Sequence, residues 1–257
     1  MSLFKKFTAM AMVAAMAFGV AACGGSDDAA GDEAKTYIIA TDTTFPPFEF
    51  QNDAGEYVGI DIDLLAAIAE DQGFEYELQA LGFDAAVQAL EAGQADGVIA
   101  GMSIKPERAE KFDFSDAYFD SGVVMGIAAD NEEIKSYEDL AGKKVAVKKG
   151  TEGMMFAESI ADKYGFELVV FDDSSAMAMD VKVGNSAACF EDYPVMGYGI
   201  AQGNGLKMVT DKEQGSSYGF AVGKEKNAEL LEMFNTGLAN LKANGKYQEI
   251  MDTYIQE

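Results

Sequence analysis

The chain contains no histidine. That removes the Ser-His and Cys-His pairs of nucleophilic catalysis and the usual zinc ligand sets. Cysteine is nearly as scarce: Cys23 lies in the N-terminal segment and Cys189 stands alone beyond it, so no disulfide forms within the mature domain. Cofactor signatures are missing too. There is no Walker phosphate loop, no G-x-G-x-x-G after a strand and no paired cysteines, so neither a metal nor a cofactor is expected. Positive charge is the next scarcity, with a formal net charge of −25 that becomes −27 when Lys5 and Lys6 are removed. Such a chain does not bind nucleic acid through phosphates, and it presents no basic patch to anionic lipid. Arginine is scarcest of all: Arg108 is the only one, against 18 lysines.

The one long apolar run is N-terminal. Lys5 and Lys6 precede Phe7 to Val20, and Val20-Ala21-Ala22-Cys23 follows. Residues 1–22 read as a lipoprotein signal peptide, and the run is short for a membrane span. Cys23 becomes the lipidated first residue, and residues 23–35 form a flexible acidic tether. A secreted protein with ordinary cleavage is the plainer alternative. The remaining residues suffice for two small lobes or one large domain.

Arg108 sits in the stretch VIAGMSIKPERAEKFDFSDAY, residues 98–118. Val98-Ile99-Ala100 reads as a strand end, Gly101 loosens it, and Pro106 fits the first turn of a helix. A cation at a helix start faces the positive end of the dipole and unpaired amides. Arginine is locally the wrong residue there unless an anion arrives. Its planar fork holds a carboxylate at two points, which an ammonium cannot do. The plain alternative is a surface pair with Glu107, Glu110 or Asp113.

Around this anion seat, strands and helices alternate. Tyr37 to Ala40 is a strand that runs into a stiff loop, Thr41 to Phe48, with Asp42, Phe45 and the Pro46-Pro47 pair. Asn52 to Gly55 is a hairpin turn, and a helix runs from about Gly59 to Gln72, capped by Asp61 or Asp63. That Asp-x-Asp pair is no calcium loop, because Leu65 takes the next ligand position. A strand at 74–79, a helix from Gly82 to about Gly93 and a strand at 96–100 complete the first series. After an extended run at 118–129 a second series begins, with strands at 143–147, 166–171 and 187–190 and helices at 152–164 and 174–183. Asp192-Tyr193-Pro194 starts another helix, a strand returns at 217–223, and helices at about 225–243 and 246–255 end the chain. Met154, Met155, Met177 and Met179 read as core filler. The order indicates parallel sheets with helices on their faces, in two lobes joined by two long strands and able to hinge around a cleft. Ligands of such sheets gather beyond the strands' carboxyl ends.

Six motifs in this order, A-T-D-T-T-F-P-P-F-E-F, V-G-I-D-I-D-L, A-G-M-S-I-K-P-E-R, F-D-F-S-D-A-Y, V-A-V-K-K-G-T and E-D-Y-P, resemble the extracytoplasmic polar amino-acid-binding proteins of ABC importers, the glutamine-binding type above all. The resemblance covers Thr36 to Glu257. It implies a two-lobed α/β periplasmic-binding-protein fold of type II, lobe 1 formed by residues 36–124 and 219–257 and lobe 2 by 125–218. It further implies a free amino acid as ligand, an ABC permease as partner, and an extracytoplasmic protein held to the cell membrane through lipidated Cys23. By the same resemblance Arg108 takes the ligand α-carboxylate, with Ser103 and backbone amides near Thr151 and Glu152. Asp192, Ser103 and the Gly101 carbonyl take the α-ammonium. Phe45 and Phe83 sandwich the side chain, and Asp42 and Lys148 lie at its far end. Asp192 could instead cap its helix, and Lys148 could be an ordinary surface lysine.

Glu152 and Glu191 depart from the glutamine pattern, which carries a small residue and a histidine there. Two added acids would favour a cationic ligand, whereas Lys148 repels one. Lys148 with Asp42 matches an amide, which needs one donor and one acceptor. Glutamine or a similar neutral polar amino acid is therefore the expected ligand, and nothing in the chain demands more than a monomer. Two other readings stay open: a dehydratase of small carboxylates on the same fold, and a free-standing amino-acid sensor.

Overall fold

A computed structural model describes residues 35–255. The signal peptide, Cys23 and all but the last residue of the tether lie outside the described residues. The first series runs β1 (Thr36–Thr41), β2 (Phe50–Gln51), β3 (Tyr57–Val58), α1 (Ile60–Gln72), β4 (Glu75–Ala80), α2 (Phe83–Glu91), β5 (Gly97–Val98), α3 (Pro106–Ala109) and β6 (Phe112–Phe114). The second follows with β7 (Phe119–Ala128), a 3-10 turn (Tyr137–Leu140), β8 (Lys144–Lys148), α4 (Glu152–Tyr164), β9 (Glu167–Phe171), α5 (Ser174–Lys182), β10 (Ala188–Asp192), α6 (Tyr193–Ala201), β11 (Leu206–Met208) and β12 (Glu213–Tyr218). The chain ends with β13 (Ala221–Gly223), α7 (Ala228–Asn244) and α8 (Lys246–Tyr254).

Each lobe is built on its own sheet. The first has the order β4-β1-β5-β13-β6, with β1 parallel to both β4 and β5. The second has the order β11-β7-β10-β8-β9, with β8 parallel to β10 and β9, and β12 paired to β7. In both lobes the first parallel strand lies between the next two, so the two series fold alike. Parallel strands need helical crossovers, which cover the faces and leave the carboxyl ends open.

Local chemistry explains the helix limits. In α4 the Thr151 hydroxyl accepts the Met154 N–H at 3.3 Å and Gly165 ends the helix at φ 71°, the conformation glycine adopts without strain. Helix α1 buries Ile60, Leu64, Leu65 and Ile68. Helix α7 closes over it at Gly237, where a Cβ would come within 2.8 Å of Ile68. Phe234 on α7 stacks on Phe220 at 4.5 Å. The last two helices thus belong to the first lobe's core.

Two expectations need correction, and two edge strands are added. The returning strand at 217–223 is two strands, because the chain crosses from the second sheet to the first at Gly219-Phe220 and one ladder cannot serve both. Edge strands β6 and β11 are not legible in the sequence, because three residues are too few to show alternation. Met155 and Met179 are 37% and 55% exposed. They neighbour Met154 and Met177, and helix positions one or two apart do not share a face.

Candidate functional site

Between the lobes lies a cleft lined by Asp42, Phe45, Phe83, Ala100, Gly101, Ser103, Arg108, Lys148, Thr151, Glu152 and Asp192. Asp42 follows β1 and Gly101 follows β5, while Lys148 ends β8 and Asp192 ends β10. The carboxyl ends of the parallel strands of both mixed sheets therefore meet here. Ten of the eleven residues named from the sequence as ligand contacts line this one space. Glu191 does not. It lines a separate cavity of about 260 Å³ with Cys189, Met177, Met196 and Pro46.

The cleft is shut. Its cavity measures only about 10 Å³, close to the room of one water. Contacts across it explain why. Lys148 of the second lobe pairs with Asp42 of the first, both almost fully buried, and its Nζ also lies 3.4 Å from the Thr44 carbonyl. Lys105 pairs with Glu152, Lys149 with Asp84 at 2.8 Å, and the Thr44 hydroxyl donates to Asp173. Anything the size of an amino acid enters only when these pairs part.

Arg108 is half-buried, and its donors do not go to Glu107, Glu110 or Asp113. Nη1 donates to the Ser103 carbonyl at 2.9 Å, and Nη2 donates across the cleft to the Gly150 carbonyl at 3.0 Å. Its Cζ lies 5.3 Å from the centre of the Phe83 ring. Burial holds its pKa below the usual value, while Asp192, Glu152 and Glu107 pull it back up. With two of five donors engaged, the fork keeps others for an anion. Helix α4 adds its first-turn amides, which have no intrahelical acceptor.

Opposite stands Asp192, buried on the second lobe. It occupies the N-cap position of α6 but makes no side-chain cap. Its carboxylate accepts from the Tyr218 hydroxyl at 2.5 Å, which in turn accepts from Ser121 at 3.0 Å. Burial first, then the negative charges of Glu191 and Glu152, raises its pKa to about 8 against the opposing pull of Tyr218 and Arg108. Glu191 is also pushed up by burial, while Lys148, the Asp192 amide and the Ser174 hydroxyl oppose the rise. Glutamate 152 has its charge met by Lys105.

Phe45 and Phe83 are both buried, and Lys148 Nζ lies 5.2 Å from the Phe45 ring centre. Gly101 has φ +52°, and a Cβ there would come within 2.3 Å of that ring. Only glycine fits.

Sequence reasoning missed Tyr218 and Lys105. Tyr218 is fully buried among Phe45, Phe48, Tyr118 and Phe119, but Ser-Ser-Tyr-Gly-Phe carries no local mark of this. Asp61 was misjudged. Gly59 holds the N-cap of α1 and no side chain caps it; Asp61 is instead fully buried and accepts from the Gly101 amide at 2.7 Å and the Tyr118 hydroxyl at 2.9 Å. Asp63 accepts from Tyr254 at 2.8 Å.

Known proteins resemble this chain across nearly its whole described length. The pattern of the bacterial extracellular solute-binding proteins, family 3, matches residues 37–257. The arginine-binding extracellular protein ArtP of Bacillus subtilis (strain 168) is 29% identical over 247 residues, 96% of this chain and 96% of that one. Substrate binding domain 2 of Lactococcus lactis GlnP, solved in an open conformation, is 41% identical over 88% of this chain and 97% of its own, with a TM-score of 0.61. An ancestral arginine-binding protein bound to glutamine is 38% identical over 86% of this chain and 98% of its own, with a TM-score of 0.79. The structure of that ancestral protein with arginine bound gives 0.80 at the same identity and coverage.

Proposed function

The chain belongs to the bacterial extracellular solute-binding proteins, family 3, and from that premise we propose that it captures glutamine between its lobes and hands it to an ABC permease. The observation that carries this reading is the opposition of Arg108 and Asp192 across one cleft. A zwitterion needs a fork for its carboxylate and an acid for its ammonium. Phe45 and Phe83 supply apolar walls, and Asp42 with Lys148 supplies one acceptor and one donor for a terminal amide. The boundaries read from the sequence, 36–124 with 219–257 for lobe 1 and 125–218 for lobe 2, assign 119–124 to lobe 1, although β7 runs unbroken through Phe119–Ala128 in the second sheet.

The choice of a neutral side chain rests on charge. Glu152 is already paired with Lys105 and Glu191 lies off the cleft, so neither acid stands free to attract a cation. Lys148 is likewise paired, with Asp42, so the far end carries a balanced donor and acceptor rather than a net charge for a cationic side chain. Arginine is the competing ligand, because relatives carry that name and the ancestral protein took both.

Thermal unfolding against each of the twenty amino acids separates these. A ligand at about 1,000 times its Kd stabilises by roughly 4 kcal/mol, a rise in Tm of about 8–16 °C at this size. Glutamine should give that rise. A rise from arginine or lysine alone would transfer the site to a cationic ligand, and no rise from any amino acid would end the proposal.

The protein works as a monomer outside the cytoplasm, anchored by lipid on Cys23 with residues 24–35 as its tether. No helix among the described residues is long and apolar enough to cross a membrane. Cys23→Ala should abolish incorporation of radiolabelled fatty acid into the protein; labelling of the variant equal to that of the wild type would contradict the anchor.

A further inference from the structure

Behind the cleft, in the first lobe, two acids meet where water does not reach. Glu49 and Asp61 are both fully buried. Asp61 Oδ2 accepts from the Gly101 amide and the Tyr118 hydroxyl, but its Oδ1 and both oxygens of Glu49 receive no donor from any described group. The two carboxyls nevertheless lie within hydrogen-bonding reach of each other. Two carboxylates offer only acceptors, and a buried acceptor left unpaired is destabilising, more so when charged. A single proton turns this repulsive contact into a donor–acceptor bond.

The acids sit at the bases of the two loops that line the cleft from this lobe. Glu49 closes the first: its carbonyl accepts from the Phe45 amide at 2.7 Å, and the Phe48 amide donates to Phe45 at 2.8 Å. Asp61 fixes both loops, since its own amide donates to the Phe48 carbonyl at 2.9 Å while its carboxylate holds Gly101. Phe45 and Gly101 pack directly on one another. We propose that Glu49 and Asp61 share one proton, and that this proton joins the Phe45 loop to the Gly101 loop, making the two acids positioning residues for the ligand.

The surroundings favour holding the proton. Burial, then the charges of Asp61 and Asp42, pushes the Glu49 pKa well above its ordinary value, and Lys148 alone opposes them. Asp61 is raised to about 6 by burial, opposed by the Gly101 amide, the Tyr118 hydroxyl and Glu49. Tyr118, whose own pKa burial and these acids push far up, stays a donor. Glu49 thus keeps in the folded state a proton that the unfolded chain releases above the ordinary glutamate range. Stability is complete below that range and declines as pH rises, until Glu49 itself ionises in the fold.

Glu49→Gln tests this, because an amide donates to Asp61 without titrating. Denaturant unfolding of the full chain, wild type and E49Q, is measured from pH 5 to 9. Relative to E49Q, the wild type should lose up to about tenfold in its folding constant per pH unit. Asp192 and Glu191 titrate in both proteins and cancel. Parallel curves would overturn the shared proton. Should E49Q not fold, carbon-13 NMR of labelled glutamate in E191Q must show one carboxyl still protonated at pH 7; every glutamate ionised would overturn it equally.

The positioning role rests on the proposed amino-acid binding and has its own readout. Glutamine affinity should fall more steeply above pH 8 in the wild type than in E49Q, the ligand's own titration being common to both. Diverging stability curves with equal affinity profiles would leave the proton structural and overturn the positioning role. A failure of the binding proposal itself would show as no glutamine binding by either protein at any pH, with the stability curves unaffected.

Discussion

Arg108→Lys should weaken glutamine binding by about 2–5 kcal/mol, roughly thirty-fold to several thousand-fold in Kd. The guanidinium already spans the lobes, from the Ser103 carbonyl to that of Gly150, and it must keep a pair of parallel donors for the carboxylate. A lysine ammonium has three donors around one point and a strong claim on water. It can meet the carboxylate or a carbonyl, but it cannot hold the fork and the bridge together. Isothermal titration of both proteins decides this. Equal Kd values would remove the anion seat, and with it the reason for the chain's only arginine.

Asp192→Asn should cost a similar amount, because the ligand ammonium would be left in a closed cleft without its counter-charge. The wild type should also show a pH dependence that the variant lacks. With its pKa at about 8, Asp192 in the shut cleft holds a proton at neutral pH. An ammonium favours the carboxylate, so that proton must leave on binding. Affinity therefore rises with pH up to about 8, by at most about tenfold per unit. Near pH 7 each binding event should release close to one proton, seen as a binding heat that varies with the buffer's ionisation enthalpy. A flat affinity from pH 6 to 8 in the wild type would refute the assignment of Asp192 to the ammonium.

These effects sit on residues of unequal visibility. Arg108 could be found in the sequence because its oddness is local: a lone arginine beside Pro106 at an expected helix start is a misfit visible from its neighbours. The Pro46-Pro47 loop and the alternating strands and helices were likewise visible, since neighbours in the chain decide backbone propensity. The limits of α4 at Glu152 and Tyr164 follow from Thr151 before it and Gly165 after it. Asp61 shows where such reading goes astray. An acid in the first turn of a helix is locally a good cap, but tertiary packing buried it and supplied Gly101 and Tyr118, 40 and 57 residues away, as its partners.

The sequence alone determined the class of this protein: an acidic chain without histidine chemistry, two similar βα series, and a single arginine among six ordered motifs. Periodicity, composition and turn residues act over a few positions, so a linear reading captures them. Only the tertiary structure decided the charge balance of the cleft. Lys148 meets Asp42 across 106 residues, Tyr218 reaches Asp192 from a strand in the crossing region, and Lys105 takes up Glu152. Whether a buried acid is paired, protonated or free for a ligand depends on which distant groups surround it and on how completely water is excluded. Those quantities exist only once the chain has folded.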